Sequence, residues 1–340
     1  MHNCVEALRP SPYARRLIWS LWLVVCYLGF VRAPMPKIHD SEMCWIFNHL
    51  EKSGGSTVRV IVNPPFGRPG KGLTLYYSKE WLQGDNFTSN LVPRLGNEVR
   101  VLSGGYVEAL RRYPTVVDKC KFFTIFRHPV SRMVSAYFFC KDRSGDPLCG
   151  SPLVDAKKVD ILSWAKHWGN YALRQFSVDL IPVDEVLHYI DGISSTDGSV
   201  YGVRAGNIPG WVLLKYYLQH LGRSSSIPED EHEEVALLAM LDRVMDNVAQ
   251  YTAVGITEEF NASMSLYDST LNIPGINWVF GLSAKGTVNK DRKHETEEEK
   301  IRNGAFLSSE IKRYLRLDIL LYDHALAVFR HQLGENGIGF

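Results

Sequence analysis

From Met43 onward, apolar runs of strand length alternate with stretches whose apolar positions recur at helical spacing. That alternation predicts a parallel β-sheet with helices packed on its faces, an α/β architecture. Trp45–His49 reads as a first strand, followed by a glycine turn and the β-branched run Thr57–Val62. Val99–Ser103 and Phe122–Phe126 are two further strand candidates. Residues 63–72 (NPPFGRPGKG) form a loop by proline and glycine content, and 144–152 and 191–210 read as loops as well. Asp230–Gln250 carries apolar residues at Val235, Leu238, Leu241 and Val248, with acidic residues near its start, where the helix dipole favours them. Glu297–Arg330 predicts a long helical region broken near Gly304 and Ser308, with Thr296 and Glu299 spaced as a capping box. The acidic run Glu297–Glu299 reads as a solvated helix start.

The N-terminal pattern is different. Leu17–Val31 (LIWSLWLVVCYLGFV) is uncharged, preceded by Arg15 and Arg16 and followed by Arg32. A full membrane span takes about 17–25 residues, so this stretch needs snorkelling flanks. Its large apolar residues surround the helix instead of forming one stripe, which argues against a buried core helix. A signal anchor and a cleaved signal peptide both stay open. Val31 and Ala33 sit at permissive positions for cleavage, but Pro34 follows that break and Arg32 lies between them. Basic residues before the apolar run leave the N-terminus cytosolic and the remainder lumenal. The expected organisation is a cytosolic tail (1–16), a signal-anchor transmembrane segment (17–31), a stem (32–42) and one lumenal domain (43–340).

Charge narrows the partners. Lys+Arg of 38 against Asp+Glu of 37 gives a net charge of +1, without the basic excess of a nucleic-acid binder. An anion site in this chain is therefore built by placement. Four cysteines follow the apolar segment, Cys44, Cys120, Cys140 and Cys149, and permit three pairings. Cys140 and Cys149 bracket the turn-rich KDRSGDPL, while Cys44 and Cys120 each precede a β-like run and could join adjacent strands. No pair has CxxC spacing, so no structural metal is expected. Asn86 and Asn261 open glycosylation acceptor patterns.

Two segments carry anion chemistry. His49-Leu50-Glu51-Lys52-Ser53-Gly54-Gly55-Ser56-Thr57 follows the first strand directly. Two glycines let backbone N–H groups turn toward one point, and a following helix offers free donors and the positive end of its dipole. Lys52 adds a full charge, and Ser53, Ser56 and Thr57 add hydroxyls. The order is not that of the NTPase loop GxxxxGK[ST], because Lys52 precedes the glycines. That disfavours a nucleotide kinase or other P-loop NTPase. The second segment is Phe126-Arg127-His128-Pro129-Val130-Ser131-Arg132-Met133-Val134-Ser135-Ala136-Tyr137. It places Arg127 at the C-terminal edge of a strand, where open α/β sheets bind ligands, and Pro129 in the first turn of a helix. Ser135 falls one turn beyond Ser131 and can face the same cleft, and arginine suits bidentate phosphate contact.

Together these segments resemble the Golgi-type carbohydrate sulfotransferases. HLEKSGGST is similar to their 5'-phosphosulfate loop, commonly H-x-P-K-T-G-G-T, and FRHPVSRMVSAY to their 3'-phosphate motif, R-[DH]-P followed by R and S-x-Y. Asn170–Phe176, Val254–Phe260 (VGITEEF) and Asp318–Phe329 resemble further family stretches, so the likeness spans Trp45 to Phe329. It implies a P-loop-like three-layer fold and PAPS (3'-phosphoadenylyl sulfate) as sulfuryl donor, with no metal. It also implies transfer to a hydroxyl of a carbohydrate acceptor, on a Golgi membrane anchored by the N-terminal helix. By the same resemblance Lys52 stabilises the departing bridging oxygen, Ser53, Gly54, Gly55, Ser56 and Thr57 wrap the 5'-phosphate, and Arg127 and Ser135 hold the 3'-phosphate.

The departures concern the general base. Glu51 replaces the usual proline, and Gly105 stands where related enzymes often carry a histidine. His49, Glu51, Glu108 and His128 are the candidates, with Glu51 and His49 favoured because they flank Lys52. Asn170 and Arg174, one helical turn apart, could touch acceptor or nucleotide, and the basic loop Lys285–Lys290 could close over the nucleotide. Loss of the base motivates the alternative of a catalytically impaired, sulfotransferase-like protein that binds nucleotide or glycan.

Overall fold

The computed structural model of the protein describes residues 43–62, 74–76, 101–105, 107–143, 146, 148–149, 154–180, 232–278 and 295–339. All of them fall in one compact unit, Asp40–Phe340. The segments 17–31 and 32–42, the loops 63–72 and 191–210, the Asn86 acceptor and the basic loop 285–290 lie outside the described residues. Among the described residues no helix is long and apolar enough to cross a membrane.

Five strands, β1 (Cys44–Asn48), β2 (Thr74–Tyr76), β3 (Val101–Gly104), β4 (Cys120–Phe126) and β5 (Ala253–Ile256), form one sheet in the order β2-β3-β1-β4-β5. Every pairing is parallel. β1 is buried at all of its positions, which is why CWIFN reads as a continuous apolar run without alternation. From β1 the chain runs to the edge at β2, returns to β3 beside β1, and then crosses to β4 on the other side. The switch point between these neighbours is where such sheets place their ligands.

Helices follow the strands. α1 (Gly55–Val62) occupies the run Thr57–Val62, which its β-branched residues had marked as strand-like. The helix wins because Val58, Ile61 and Val62 bury one face, and tertiary burial outweighs a modest local propensity. Next come α2 (Pro114–Lys119), α3 (Pro129–Asp142), α4 (Ile161–Trp168), α5 (Tyr171–Phe176) and α6 (His232–Ala249). α6 matches the predicted Asp230–Gln250, but its inner face is Ala236, Met240, Leu241, Val244 and Val248, while Val235 and Leu238 are exposed. α7 (Phe260–Leu271), α8 (Glu295–Leu307), α9 (Ser309–Tyr314) and α10 (Arg316–Glu335) complete the set. The long C-terminal region breaks at Ser308, whose hydroxyl accepts from the Ile311 amide at 3.2 Å, and again at Leu315. Gly304 stays inside α8, and Thr296 also lies within that helix, so it is not its cap.

Both cysteine pairs are disulfides. Cys44 and Cys120 are register partners at the start of β1 and β4, with Cα atoms 4.5 Å apart. Cys140 and Cys149 tie the end of α3 to the turn after it.

One buried charge pair organises the helical layer. Arg132, 1% exposed, donates to Asp318 at 3.0 Å, and its guanidinium lies over the Tyr171 ring. Asp318 also accepts from the amides of Ala172 (3.1 Å) and Leu173 (2.9 Å) at the start of α5. In return the Asn170 side chain accepts from the amides of Leu317 and Asp318 at the start of α10. Each helix thus caps the other, satisfying donors that a buried helix start would otherwise strand. This gives Asn170 a structural role as the cap of α10. Asp318→Ala leaves Arg132 buried without its anion and is expected to lower unfolding free energy by about 3–5 kcal/mol in urea denaturation; an unchanged midpoint would remove the pair from this role.

Candidate functional site

The site begins where β1 ends. Lys52 (φ 62) and Gly54 (φ 80) both take left-handed backbone conformations, folding residues 51–54 into a tight turn before α1. The Gly54 carbonyl accepts from the Thr57 amide at 3.0 Å and opens the helix. The amides of Ser53, Gly54, Gly55 and Ser56 donate to no backbone acceptor among the described residues. Four consecutive free donors at a helix start, with Lys52 alongside, form an anion cradle. Ser53 is fully buried and its hydroxyl has no partner among the described residues.

Gly55 is needed for space. A Cβ there would lie 2.0 Å from Cδ2 of His49. The His49 ring is buried against the loop it precedes and stacks on Phe47, while its carbonyl accepts from Gln175 Nε2 at 3.0 Å. Of the roles open to His49, the structure displays this packing one.

The second motif converges on the first. Arg127 leaves the end of β4 and donates through Nη1 to the Lys52 carbonyl at 3.1 Å. The Thr257 hydroxyl lies 2.7 Å from the Ser53 carbonyl and 2.9 Å from that of Phe126, so the turn after β5 braces both segments. Ser131, Ser135 and Phe139 recur every four residues on α3 and share a half-buried face. The Lys52 ammonium sits 4.2 Å from the centre of the Phe139 ring, which turns the Ser135 stripe toward the loop. Burial, and after it the Arg127 charge, lowers the Lys52 pKa to about 8. The Arg127 pKa is lowered too, by burial first and then by Arg302.

The base candidates separate clearly. Glu51 is 4% exposed and accepts from the Tyr171 hydroxyl at 3.1 Å. Its Oε1 stands 3.7 Å from the place a Cβ on Gly105 would occupy, so this carboxylate fills space beside the glycine. Glu108 is fully buried, accepts from Asn48 Nδ2 at 3.1 Å and from the Tyr251 hydroxyl, and pairs with Arg111 at 3.4 Å. Desolvation raises its pKa to about 7 against the opposing pull of Arg111. Full burial keeps it from an external hydroxyl. His128 caps α3, accepting from the Val130 amide at 3.3 Å, and its ring packs on Phe306 and Tyr322. Its backbone amide donates to Glu258. Arg174 donates to the His167 carbonyl at 3.4 Å.

Several participants were not singled out in the sequence. Thr257 and Glu258 sit in VGITEEF, but their bracing role depends on the position of β5 beside β4. Arg302 and Glu298 belong to α8, far along the chain, and only their spacing of four marks them as a pair. Among the described residues no group of three or more His, Cys, Asp or Glu side chains is placed to hold a metal ion. No family model matches this chain, and no curated protein matches it either.

Two consequences can be measured. Gly55→Ala forces a methyl into the His49 ring, and a loss of roughly 1–3 kcal/mol is expected in chemical denaturation; tolerance would show that the loop relaxes. Glu108 has a folded pKa above its unfolded one, so between about pH 4.5 and 7 the folded state holds a proton that the unfolded state releases. Stability attributable to Glu108 is therefore present below pH 4.5 and lost as pH rises to about 7, a fall of roughly 3 kcal/mol. The Glu108→Gln variant should lack that fall when its unfolding free energy is measured across the same window.

Proposed function

We propose that the chain is a PAPS-dependent sulfotransferase acting on a carbohydrate hydroxyl. The observation that carries this reading is the convergence of Lys52, Arg127 and four amides without a backbone acceptor among the described residues, at the carboxyl ends of two adjacent parallel strands. A donor with phosphate at both ends of an adenosine needs two anion grips a fixed distance apart. The glycine turn supplies amides and an ammonium, and the β4 edge supplies a guanidinium with the Ser135 face beside it.

The fit to the donor is favourable. The buried Ser53 hydroxyl, without a partner among the described residues, and the loop amides are groups that a phosphate oxygen would satisfy. PAPS supplies the activated sulfuryl group. In the reaction a bond forms between sulfur and the acceptor oxygen as the bond from sulfur to the bridging phosphate oxygen breaks. Lys52 stabilises the charge left on that oxygen, and the loop amides share it. Lys52 is positively charged below its pKa of about 8, which suits this task at neutral pH. Glu51 is the base we assign to the acceptor proton, because its carboxylate occupies the space beside Gly105. The Tyr171 hydroxyl orients it.

Two disulfides favour an oxidising compartment, in keeping with a lumenal domain behind an N-terminal anchor on a Golgi membrane. A second reading, a nucleotide- or glycan-binding relative without transfer, draws on the 4% exposure of Glu51, which limits access to the base.

Labelled-sulfate transfer from PAPS to a panel of desulfated polysaccharides separates them. The sulfotransferase reading expects transfer by the wild type and a loss of about 10²–10³-fold or more in Lys52→Ala. Glu51→Gln should reduce turnover with little change in affinity for adenosine 3',5'-bisphosphate. Nucleotide binding without transfer to any acceptor favours the second reading.

A further inference from the structure

The helix α8 brings a third cation and a carboxylate to the same cleft. Along α8, Thr296, Glu297, Glu299, Lys300, Asn303 and Gly304 are exposed, whereas Glu298, Ile301, Arg302 and Ala305 turn inward. The acidic run therefore is not uniformly solvated. Its middle member faces the protein, one helical turn before Arg302, and the two form an ion pair with side chains 26% and 30% exposed. Nε of Arg302 is buried with no partner among the described residues, so the guanidinium keeps an unused donor. α8 lies beside the site: Glu297 comes within 4.0 Å of Lys141 of α3 at the exposed rim, and Phe306 packs on His128, the neighbour of Arg127.

The charges around Arg127 show what this placement does. Among charged groups Arg302 acts most strongly on Arg127, and Glu258 and then Glu298 oppose it. Glu298 also acts on Lys52 in the same sense, favouring its charged form. Glu298 thus pairs with Arg302 and acts on Lys52 and Arg127 from α8, while Glu258 is a second carboxylate acting on Arg127. An ionised group held among cations in a partly buried cleft is a resident counter-ion, and an incoming anion must compete with it.

We propose that Arg302 is a third cationic ligand for the phosphorylated end of the nucleotide held by Arg127, and that Glu298 occupies it in the free protein as a built-in competitor. This rests on the reading of the cleft as a site for a doubly phosphorylated nucleotide. When phosphate enters, the pair opens, Arg302 turns its donors to the phosphate, and Glu298 gives up its place. Affinity is then the difference between two sets of charge-assisted hydrogen bonds. Opening the pair costs the same for any anion that displaces Glu298, so a dianionic phosphate, which gains more from the freed donors, offsets that cost more fully than a singly charged anion does.

The test uses the full chain and calorimetric titration with adenosine 3',5'-bisphosphate and with adenosine 5'-monophosphate, beside thermal melting of every variant. Glu298→Gln keeps shape and removes the charge; it is expected to bind the bisphosphate about tenfold tighter. Arg302→Ala is expected to bind it about tenfold weaker, with the monophosphate affected less, and Arg302→Lys to recover part of the loss. Equal or weaker bisphosphate binding by Glu298→Gln overturns the competitor role even if Arg302→Ala does not fold. Equal loss of both nucleotides in Arg302→Ala overturns the assignment to the second phosphate. If neither nucleotide binds the wild type or Glu298→Gln, the reading of the cleft itself fails, and this inference fails with it.

Discussion

Two positive side chains, Lys52 and Arg127, are kept together in a cleft that shields both from water, and much of the surrounding structure works to hold them there. Like charges in such surroundings repel more strongly than they would in solvent. Relief comes in separate ways. Arg127 donates to the Lys52 carbonyl, the Lys52 ammonium rests on the face of Phe139, and Glu298 and Glu258 supply negative charge nearby. Strand pairing does the coarse positioning, since β1 and β4 are direct neighbours running the same way. Thr257 does the fine positioning, because its hydroxyl stands between the two chain segments that carry the charges.

A second tier of polar contacts supports the first from inside the fold. Gln175 Nε2 reaches Asn48 Oδ1 and the His49 carbonyl, Asn48 reaches Glu108, and Glu108 reaches Tyr251. These side chains come from β1, the turn after β3, α5 and the approach to β5, so the end of β1 is fixed from several directions. Arg132 and Asp318 do the same for α3, α5 and α10.

Much of this was legible in the chain. The apolar runs Trp45–His49 and Phe122–Phe126 announced the two central strands because parallel strands buried on both faces need unbroken apolar residues. Cys44 and Cys120 stood in like positions before those runs, and they proved to be register partners. The glycine pair with Lys52 marked a turn built around donors. Other features needed the third dimension. Thr57–Val62 has strand composition but helical burial. Asn170 looked like a ligand contact and is a cap for a helix almost 150 residues away, a separation no local pattern encodes. Glu298 sat in a run of three acids, and only the rotation of α8 distinguishes the inward one from its neighbours. His128 and Glu108 have the chemistry of a base, and the structure shows the first capping α3 and the second fully buried.

The bond between Cys44 and Cys120 pins the two central strands where they enter the sheet, while the charged segments emerge where they leave it. Staves riveted at the foot have little freedom to splay at the rim. The backbone ends that carry Lys52 and Arg127 are thereby held at a set spacing, so under the proposed reading adjustment to a ligand falls to the helices around the cleft.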